Sequence, residues 1–230
     1  ADMESLEKRK PALEKKIKQS DKDAIQTLRL INLALEQLEN GKPARAVEID
    51  SDDKKAWRML QLLTAKPVLY VANVDEDSVV TGNAFSAKVK AHADTHGAES
   101  VVISARIESE LALLEAEERD EYMDALGITE PGLDRLIHTG YSLLDLQTYF
   151  TVGPKEARAW TFQEGWSAPQ CAGVIHGDFE RGFIKAETIA YDDFVTNNGE
   201  SGAREAGKVR QEGKSYIVKD GDILHFKFNV

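Results

Sequence analysis

The residues with the clearest chemical possibility are Asn73-Val74-Asp75-Glu76 and Ser104-Ala105. The first group closes an apolar run, Val68-Leu69-Tyr70-Val71-Ala72, and the second closes another, Ser100-Val101-Val102-Ile103. An amide, a carboxylate, a hydroxyl and backbone N–H groups at the ends of two neighbouring strands are the groups that can read a purine edge. In the guanine-reading arrangement N-K-x-D, the aspartate accepts two hydrogen bonds from the base. Here Val74 takes the second position and Glu76 the fourth, so the carboxylate is displaced and no lysine stem lies over the ring. Guanine recognition is expected to be weakened. Taken alone, four such residues are weak evidence, and a strand ending in a polar turn is the commoner explanation.

The other constellations offer less. A phosphate cradle needs G-x-x-x-x-G-K-[ST] between a strand and a helix, where backbone N–H groups and a lysine surround the phosphates. The segment Gly207-Lys208-Val209-Arg210-Gln211-Glu212-Gly213-Lys214-Ser215 imitates it, but its glycines are one residue too far apart. Ser215 is moreover expected to open a strand. His92 and His96 stand four apart on an expected helix, a spacing that suits a metal pair; no third ligand follows, and two surface histidines explain them better. Cys171 beside His176 suggests a nucleophile and base, against which stands a half-buried structural thiol. Asp178 and Glu180 would suit an acid–base pair or a polar turn. No catalytic residue and no metal site is assigned to this chain.

These side chains need elements to hold them. Residues 2–19 and 23–39 both read as helix, the second with Ile25, Leu28, Leu35 and Leu38 along one face. Pro11 removes a hydrogen bond from the first and is expected to kink it. Ser20-Asp21-Lys22-Asp23 is a turn, so the two helices form an antiparallel hairpin with a narrow apolar seam. Gly41 and Pro43 stop the second helix. Strand 68–72, a helix over 84–95 and strand 100–103 make a β-α-β unit whose polar strand ends form a ligand edge. Helical residues follow over 108–124 and 132–144. From 147 the chain turns to short strands, 148–152, 157–162, 183–189, 215–219 and 223–228, around a helix over 167–175. This is a small α+β domain, with 196–213 expected to be a mobile loop.

Composition bounds the rest. The 230 residues carry a net charge of −11, with 42% hydrophobic and 30% charged residues, enough apolar material for packed cores. A globally basic nucleic-acid binder is excluded, because counterion release needs positive surface. Residues 1–66 hold 14 basic and 12 acidic groups, 67–146 hold 5 and 16, and 147–230 hold 10 and 12. The acidity therefore sits in the middle segment, a poor place for a phosphate-backbone contact. Lys155, Arg158, Lys185, Lys208, Arg210 and Lys214 remain available for phosphate contact, as with RNA, with a solvated surface as the plainer reading of each. The single cysteine excludes an internal disulfide and suits a reducing compartment. No apolar run approaches the ~20 residues of a membrane span, and the first ten residues do not read as a signal peptide.

With these residues in view, the sequence resembles the Obg-like ATPase (YchF) family along essentially its whole length. The resemblance rests on Leu38–Arg45, Leu62–Tyr70, Asn73–Glu76, Tyr149–Gly153, Ala159–Thr161, Tyr216–Asp222 and above all on His176-Gly177-Asp178-Phe179-Glu180-Arg181-Gly182-Phe183-Ile184-Lys185-Ala186-Glu187. It implies an α/β plus α+β architecture in three parts: an antiparallel coiled-coil arm (1–45), the C-terminal part of a P-loop nucleotidase with its parallel sheet (46–146), and a β-grasp TGS domain (147–230). It implies hydrolysis of ATP in preference to GTP, with Asn73, the Val74 backbone, Glu76, Ser104 and Ala105 at the base. It also implies a cytoplasmic protein that associates with the ribosome, through the large subunit or the 70S particle. The family's phosphate-binding, magnesium-binding and switch segments precede the arm, where this sequence begins. The chain is therefore expected to be the C-terminal portion of a longer ATPase, monomeric, and on its own a weak ATP binder without turnover. ATP and Mg2+ would bind tightly only in the full-length parent. A non-enzymatic ribosome- or RNA-docking module, using the arm and the TGS domain, is the alternative.

Overall fold

The computed structural model describes residues 1–229, and the chain divides into two compact units, Ala1–Gly140 and Tyr141–Val230. The first opens with helix α1 (Asp2–Ile17) and helix α2 (Lys22–Glu39). A connection this short forces the helices antiparallel. The Asp21 carboxylate accepts from the Ala24 N–H at 3.1 Å and so caps α2. Pro11 lies inside α1 without ending it. The seam differs from the one the periodicity suggests. Ile25 is 49% exposed, while Ala24, Leu30, Ile31, Ala34 and Leu35 are buried. The stripe is wider and rotated because α2 packs on more than α1. Leu6, Leu30, Ile31 and Leu35 share a core with Ala44, Leu60 and Leu62 from the returning chain.

Two carboxylates fasten that return. Asp53, just before helix α3 (Lys54–Met59), takes hydrogen bonds from Gln26 at 2.7 Å and from Arg29, both on α2. Those bonds hold its carboxyl below the usual carboxylate range. Asp2 accepts from the Leu63 N–H (3.1 Å), the Thr64 N–H (2.8 Å) and the Thr64 hydroxyl (2.6 Å). Burial opposes ionisation of Asp2, and the Thr64 and Leu63 donors overcome it, leaving its carboxyl lowered.

Strands β1 (Leu69–Asn73) and β2 (Glu99–Ile103) then pair in parallel, with Asn73 opposite Ile103. Helix α4 (Ala84–Thr95) lies between them in sequence, and its start is fixed by reciprocal capping between Asn83 and Ser86. Among the described residues β1 has no partner on its other edge, and Val71 is 44% exposed. Among the described residues β2 likewise has no second strand partner, but it is partly covered. Val101 is buried, and the Arg135 guanidinium donates to the Val102 carbonyl at 3.1 Å. Helices α5 (Ala105–Leu111), α6 (Ala116–Leu126) and α7 (Gly132–Leu143) follow; the division between the units falls within α7. Ile107, Leu111 and Ile128 form a small core with Val79. Glu108 accepts from the N–H groups of Gly132 (2.8 Å) and Leu133 (3.2 Å), which seats the first turn of α7 on α5.

The second unit is one mixed five-stranded sheet in the order β4-β3-β7-β5-β6. Its strands are β3 (Leu146–Val152), β4 (Ala157–Gln163), β5 (Phe183–Ile189), β6 (Arg210–Glu212) and β7 (Ile223–Phe228). β3 runs parallel to β7, and the other neighbours are antiparallel. Helices α8 (Ala168–Ile175) and α9 (Gly177–Arg181) connect β4 to β5, and the α8 residues Ala168, Cys171 and Ala172 pack on Tyr149, Phe162, Ala186 and Phe226. The fold class is thus mixed α/β, with one parallel and one mixed sheet.

Two expectations fail in this unit. The stretch expected to be a loop over 196–213 contains helix α11 (Glu200–Glu205) and β6, after the short helix α10 (Tyr191–Thr196). Its glycines serve as helix boundaries: Gly199 (φ +109°) precedes α11 and Gly207 (φ +69°) follows it. The strand expected at 215–219 is absent, apart from an isolated bridge between Ser167 and Ile217. Buried Asp222 holds this segment instead, accepting from the Tyr216 hydroxyl (2.7 Å) and the Lys219 N–H (3.0 Å). No described helix is long and apolar enough to cross a membrane.

Candidate functional site: the carboxyl ends of β1 and β2

The parallel pairing of β1 with β2 brings the two sequence motifs together. The Val74 N–H donates to the Ile103 carbonyl at 2.9 Å, extending the ladder one residue past β1. The Asn73 side chain crosses to the second motif, where its Oδ1 accepts from the Ala105 N–H at 2.9 Å. A backbone N–H can only donate, so this bond fixes the amide orientation, and Asn73 keeps its Nδ2 donor for a ligand. By the same accounting, Val74 has its carbonyl to offer and not its N–H. Ser104 is fully buried between β2 and α5, and its Oγ has no hydrogen-bond partner. An unpaired buried hydroxyl costs about 1–3 kcal/mol, which a ligand that completes it would return.

Glu76 is drawn sideways. Its carboxylate sits 2.7 Å from the Arg106 guanidinium, which also approaches Glu110 at 3.4 Å. Tyr122 donates to Glu110, and that bond first, with Arg106 after it, lowers the Glu110 carboxyl below the usual range. The sequence motifs gave no sign of Arg106, although it directly follows Ser104-Ala105. The only available signal was an arginine among glutamates at helical spacing from Glu110. In sequence, Asp75, Glu76, Asp77, Glu108 and Glu110 follow closely on the two strand ends, with Arg106 among them. This charge balance suits a neutral base edge and repels a polyphosphate.

Tests of fit for the rest of a nucleotide give a different answer. Among the described residues no three His, Cys, Asp or Glu side chains converge on a metal-sized site. Gly207 terminates α11, Arg210–Glu212 is a strand and no helix starts after Ser215, so that segment has none of the geometry of a phosphate cradle. The residues at β1 and β2 fit the base of a nucleotide and not its phosphates or magnesium.

The remaining candidates are dispersed. The His92 and His96 rings stack at 4.1 Å, and His96 Nδ1 lies 2.8 Å from the His92 carbonyl. Cys171 is fully buried, not half-buried, and burial together with the nearby Asp222 charge pushes its thiol up to about 12. Such a thiol is a packing residue. His176 accepts from the Asp178 N–H at 3.2 Å, and Asp178 pairs with Arg181, so these groups cap α9. Of the basic candidates, Lys208 pairs with Asp193 (3.1 Å), and Arg210 with Glu212 (3.2 Å) and Asp222 (3.5 Å). Arg158 lies over the Trp160 ring at 4.1 Å. Lys155, Lys185 and Lys214 are exposed. Two of the six are thus already paired with carboxylates.

Residues 146–229 match the family described as YchF-GTPase_C, protein of unknown function (DUF933). Over all of its length the chain is 53% identical to a protein of Bacillus subtilis named ribosome-binding ATPase YchF. It is 50% identical, again over all of its length, to the Escherichia coli O157:H7 protein of the same name. Obg-like ATPase 1 of Rattus norvegicus is 46% identical over 73% of this chain and 43% of its own. The solved structure titled as the Schizosaccharomyces pombe YchF GTPase superposes with a TM-score of 0.84 at 33% identity, covering 98% of this chain and 62% of that one. The chain spans 63% of the length of the two bacterial relatives. It is homologous, over its whole length, to the C-terminal part of the YchF/Obg-like ATPases.

Proposed function

We propose that this chain is the base-reading and ribosome-associating part of an ATPase that takes ATP in preference to GTP. The observation that carries the base preference is the hydrogen bond from the Ala105 N–H to Asn73 Oδ1. Guanine presents an acceptor, O6, where adenine presents an amino group. The Ala105 N–H, a natural donor to O6, is occupied, while the Val74 carbonyl is an acceptor suited to the adenine amino group; the buried Ser104 Oγ could join it only if the site opens on binding. Asn73 Nδ2 remains as the donor to the purine N7. Glu76 is held by Arg106 and is less able to accept from guanine N1 and N2. Asn73, Val74 through its carbonyl, Glu76, Ser104 and Ala105 thus act as an adenine clasp.

The triphosphate, the magnesium ion and the residues that carry out hydrolysis belong in this reading to the portion of the parent that the chain does not span. A base edge alone contributes a few hydrogen bonds at about 1 kcal/mol each, so the 230-residue chain binds ATP weakly and hydrolyses none. The order β4-β3-β7-β5-β6, with α8 crossing between β4 and β5, supports reading the second unit as a β-grasp TGS domain. The α1–α2 hairpin supports the arm. Three parts follow: the arm over 1–45, the nucleotidase remainder over 46–146 and the TGS domain over 147–230. The relatives' names support ribosome association; a cytoplasmic, monomeric protein is part of the same proposal.

The test has two arms. In thermal-shift titrations a longer protein carrying the preceding segment is stabilised by ATP at lower concentration than by GTP, and Asn73→Ala reduces that difference. In sedimentation the present chain travels with ribosomes. Equal ATP and GTP responses would sink the adenine assignment, and absence from the ribosomal pellet would sink the association.

A further inference from the structure

The stretch 54–74 is anomalous in so acidic a protein: it holds Lys54, Lys55, Arg58 and Lys66 and not one Asp or Glu. Its middle lines a groove of about 690 Å³, walled by Trp57, Arg58, Gln61, Lys66 and Pro67, with Lys54 and Lys55 exposed on the same helix, α3, outside the wall. None of its four cations takes part in an ion pair among the described residues. By contrast the cations of α2 and the second unit that face carboxylates are paired, such as Arg29 with Asp53 and Lys208 with Asp193. Trp57 is half-buried and packs on the core that the α1–α2 hairpin shares with Leu60 and Leu62. Met59 and Leu63 beside it are 72% and 60% exposed.

The groove is also held rigidly. Asp2 takes three hydrogen bonds from Leu63 and Thr64, and Arg9 donates to the Leu60 carbonyl at 3.1 Å. Between those two anchors Gln61 is kept in the left-handed region at φ +55°. An aromatic ring braced from behind, flanked by unpaired cations, is the arrangement that binds single-stranded nucleic acid. Bases stack on the ring, and the phosphates are neutralised alongside.

We infer that the Trp57 groove is a docking site for single-stranded RNA, with Trp57 stacking on a base and Lys54, Lys55, Arg58 and Lys66 meeting the phosphates. The choice of RNA over another polyanion rests on the ribosome-association reading above. The charge complementarity and the groove do not. The site lies in the first unit, whereas all six cations that the sequence suggested for RNA belong to the second.

The test measures anisotropy of a labelled oligouridylate titrated with the 230-residue chain. Single-strand binding that releases counterions gives a log–log salt slope of about −0.7 per phosphate, so four contacts predict a slope of roughly −3. Arg58→Glu with Lys66→Glu should weaken binding at least about tenfold and flatten the slope by roughly 1.4. Trp57→Ala should cost about tenfold at unchanged slope, and Trp57→Phe should restore most of it. Circular dichroism checks folding, and the exposed Arg58 and Lys66 variants keep the test valid if Trp57→Ala unfolds. Unchanged affinity in the Arg58/Lys66 variant overturns the inference. So does loss of binding only on Lys155→Glu with Lys185→Glu and Lys214→Glu, or equal binding of polyglutamate. Ribosome sedimentation lost in the groove variants supports the inference and the association together. Sedimentation absent from the unaltered chain, with oligouridylate still bound, defeats the association alone.

Discussion

Arg106 offers the sharpest way to separate base-reading from mere proximity. Its guanidinium lies 2.7 Å from Glu76 and 3.4 Å from Glu110, on the exposed side of α5. Arg106→Ala removes no core contact and frees the Glu76 carboxylate to accept from guanine N1 and N2. A hydrogen bond to a charged acceptor contributes about 1.5–3 kcal/mol. Even one such bond, discounted for the solvent that reaches Glu76, amounts to roughly a tenfold gain for guanosine. Adenosine, which uses Asn73 Nδ2 and the Val74 carbonyl, should change little. Without phosphate contacts, binding of either nucleoside rests on about 3–4 kcal/mol and falls in the millimolar range. Amide NMR is suited to that range. In the unaltered chain, adenosine should shift the Asn73 side-chain amide and the amides around Val74 and Ala105 more strongly than guanosine does. In Arg106→Ala the two nucleosides should converge. If guanosine shifts those resonances as strongly before the substitution as after it, the account of Glu76 and of the occupied Ala105 N–H is wrong. Shifts confined to other residues would place the base elsewhere altogether.

Other consequences are independent of nucleotide. Cys171 is buried with its thiol pushed up to about 12 from 9.0, so a thiol reagent at pH 8 should label it only on unfolding. The raised value also means that Cys171 favours the fold fully below pH 9. That contribution should fade between pH 9 and about 12, at up to about 1.4 kcal/mol per pH unit, and Cys171→Ala should lose this part of the alkaline dependence in urea titrations. Asp53 has the opposite sign. Its lowered carboxyl contributes above the ordinary 3.8 and loses that contribution as pH falls through the folded value, so Asp53→Asn should flatten the acid side of the stability profile. At Gly182 an added Cβ would collide with the Asn229 carbonyl, where the Asn229 N–H also donates to the Gly182 carbonyl at 2.9 Å. Gly182→Ala should therefore cost about 1–3 kcal/mol in chemical denaturation.

Where the sequence succeeded and failed follows from the range of the forces involved. The strands β1 and β2 and the helix α4 between them were legible because apolar runs and helix formation act over a few residues; the Asn83–Ser86 cap, equally local, went unread. The meeting of Asn73 with Ala105 followed from the parallel crossover alone. The seam of α2 was misread because Ala44, Leu60 and Leu62, far along the chain, complete its core and turn Ile25 outward. Residues 196–213 looked loose because glycine was counted as flexibility. Gly202 in fact sits against the Asn197 carbonyl, where a Cβ would not fit, and Ala203 beside it is fully buried. The apolar run Tyr216-Ile217-Val218 suggested a strand, yet only an isolated bridge forms, and Asp222 anchors the segment through the Tyr216 hydroxyl and the Lys219 N–H. Glu76 was judged by its length when its partner, Arg106, decides what it can do.

That last point bears on how specificity and affinity divide in such a site. The groups proposed to read adenine are mostly backbone or backbone-locked: the Val74 carbonyl next to an N–H used by the ladder, and an amide pinned by Ala105. They lose little freedom when a base arrives, so their few hydrogen bonds discriminate well without binding tightly. The acidic residues around them oppose phosphate, and tight binding must therefore be supplied by cations from outside the described residues. A testable corollary concerns salt. Raising ionic strength screens those acidic residues, so the chain's response to ATP should rise relative to its response to adenosine. A phosphate site hidden within this chain would give the reverse, with ATP binding weakening as salt increases, and the division between base and phosphate argued here would then be untenable.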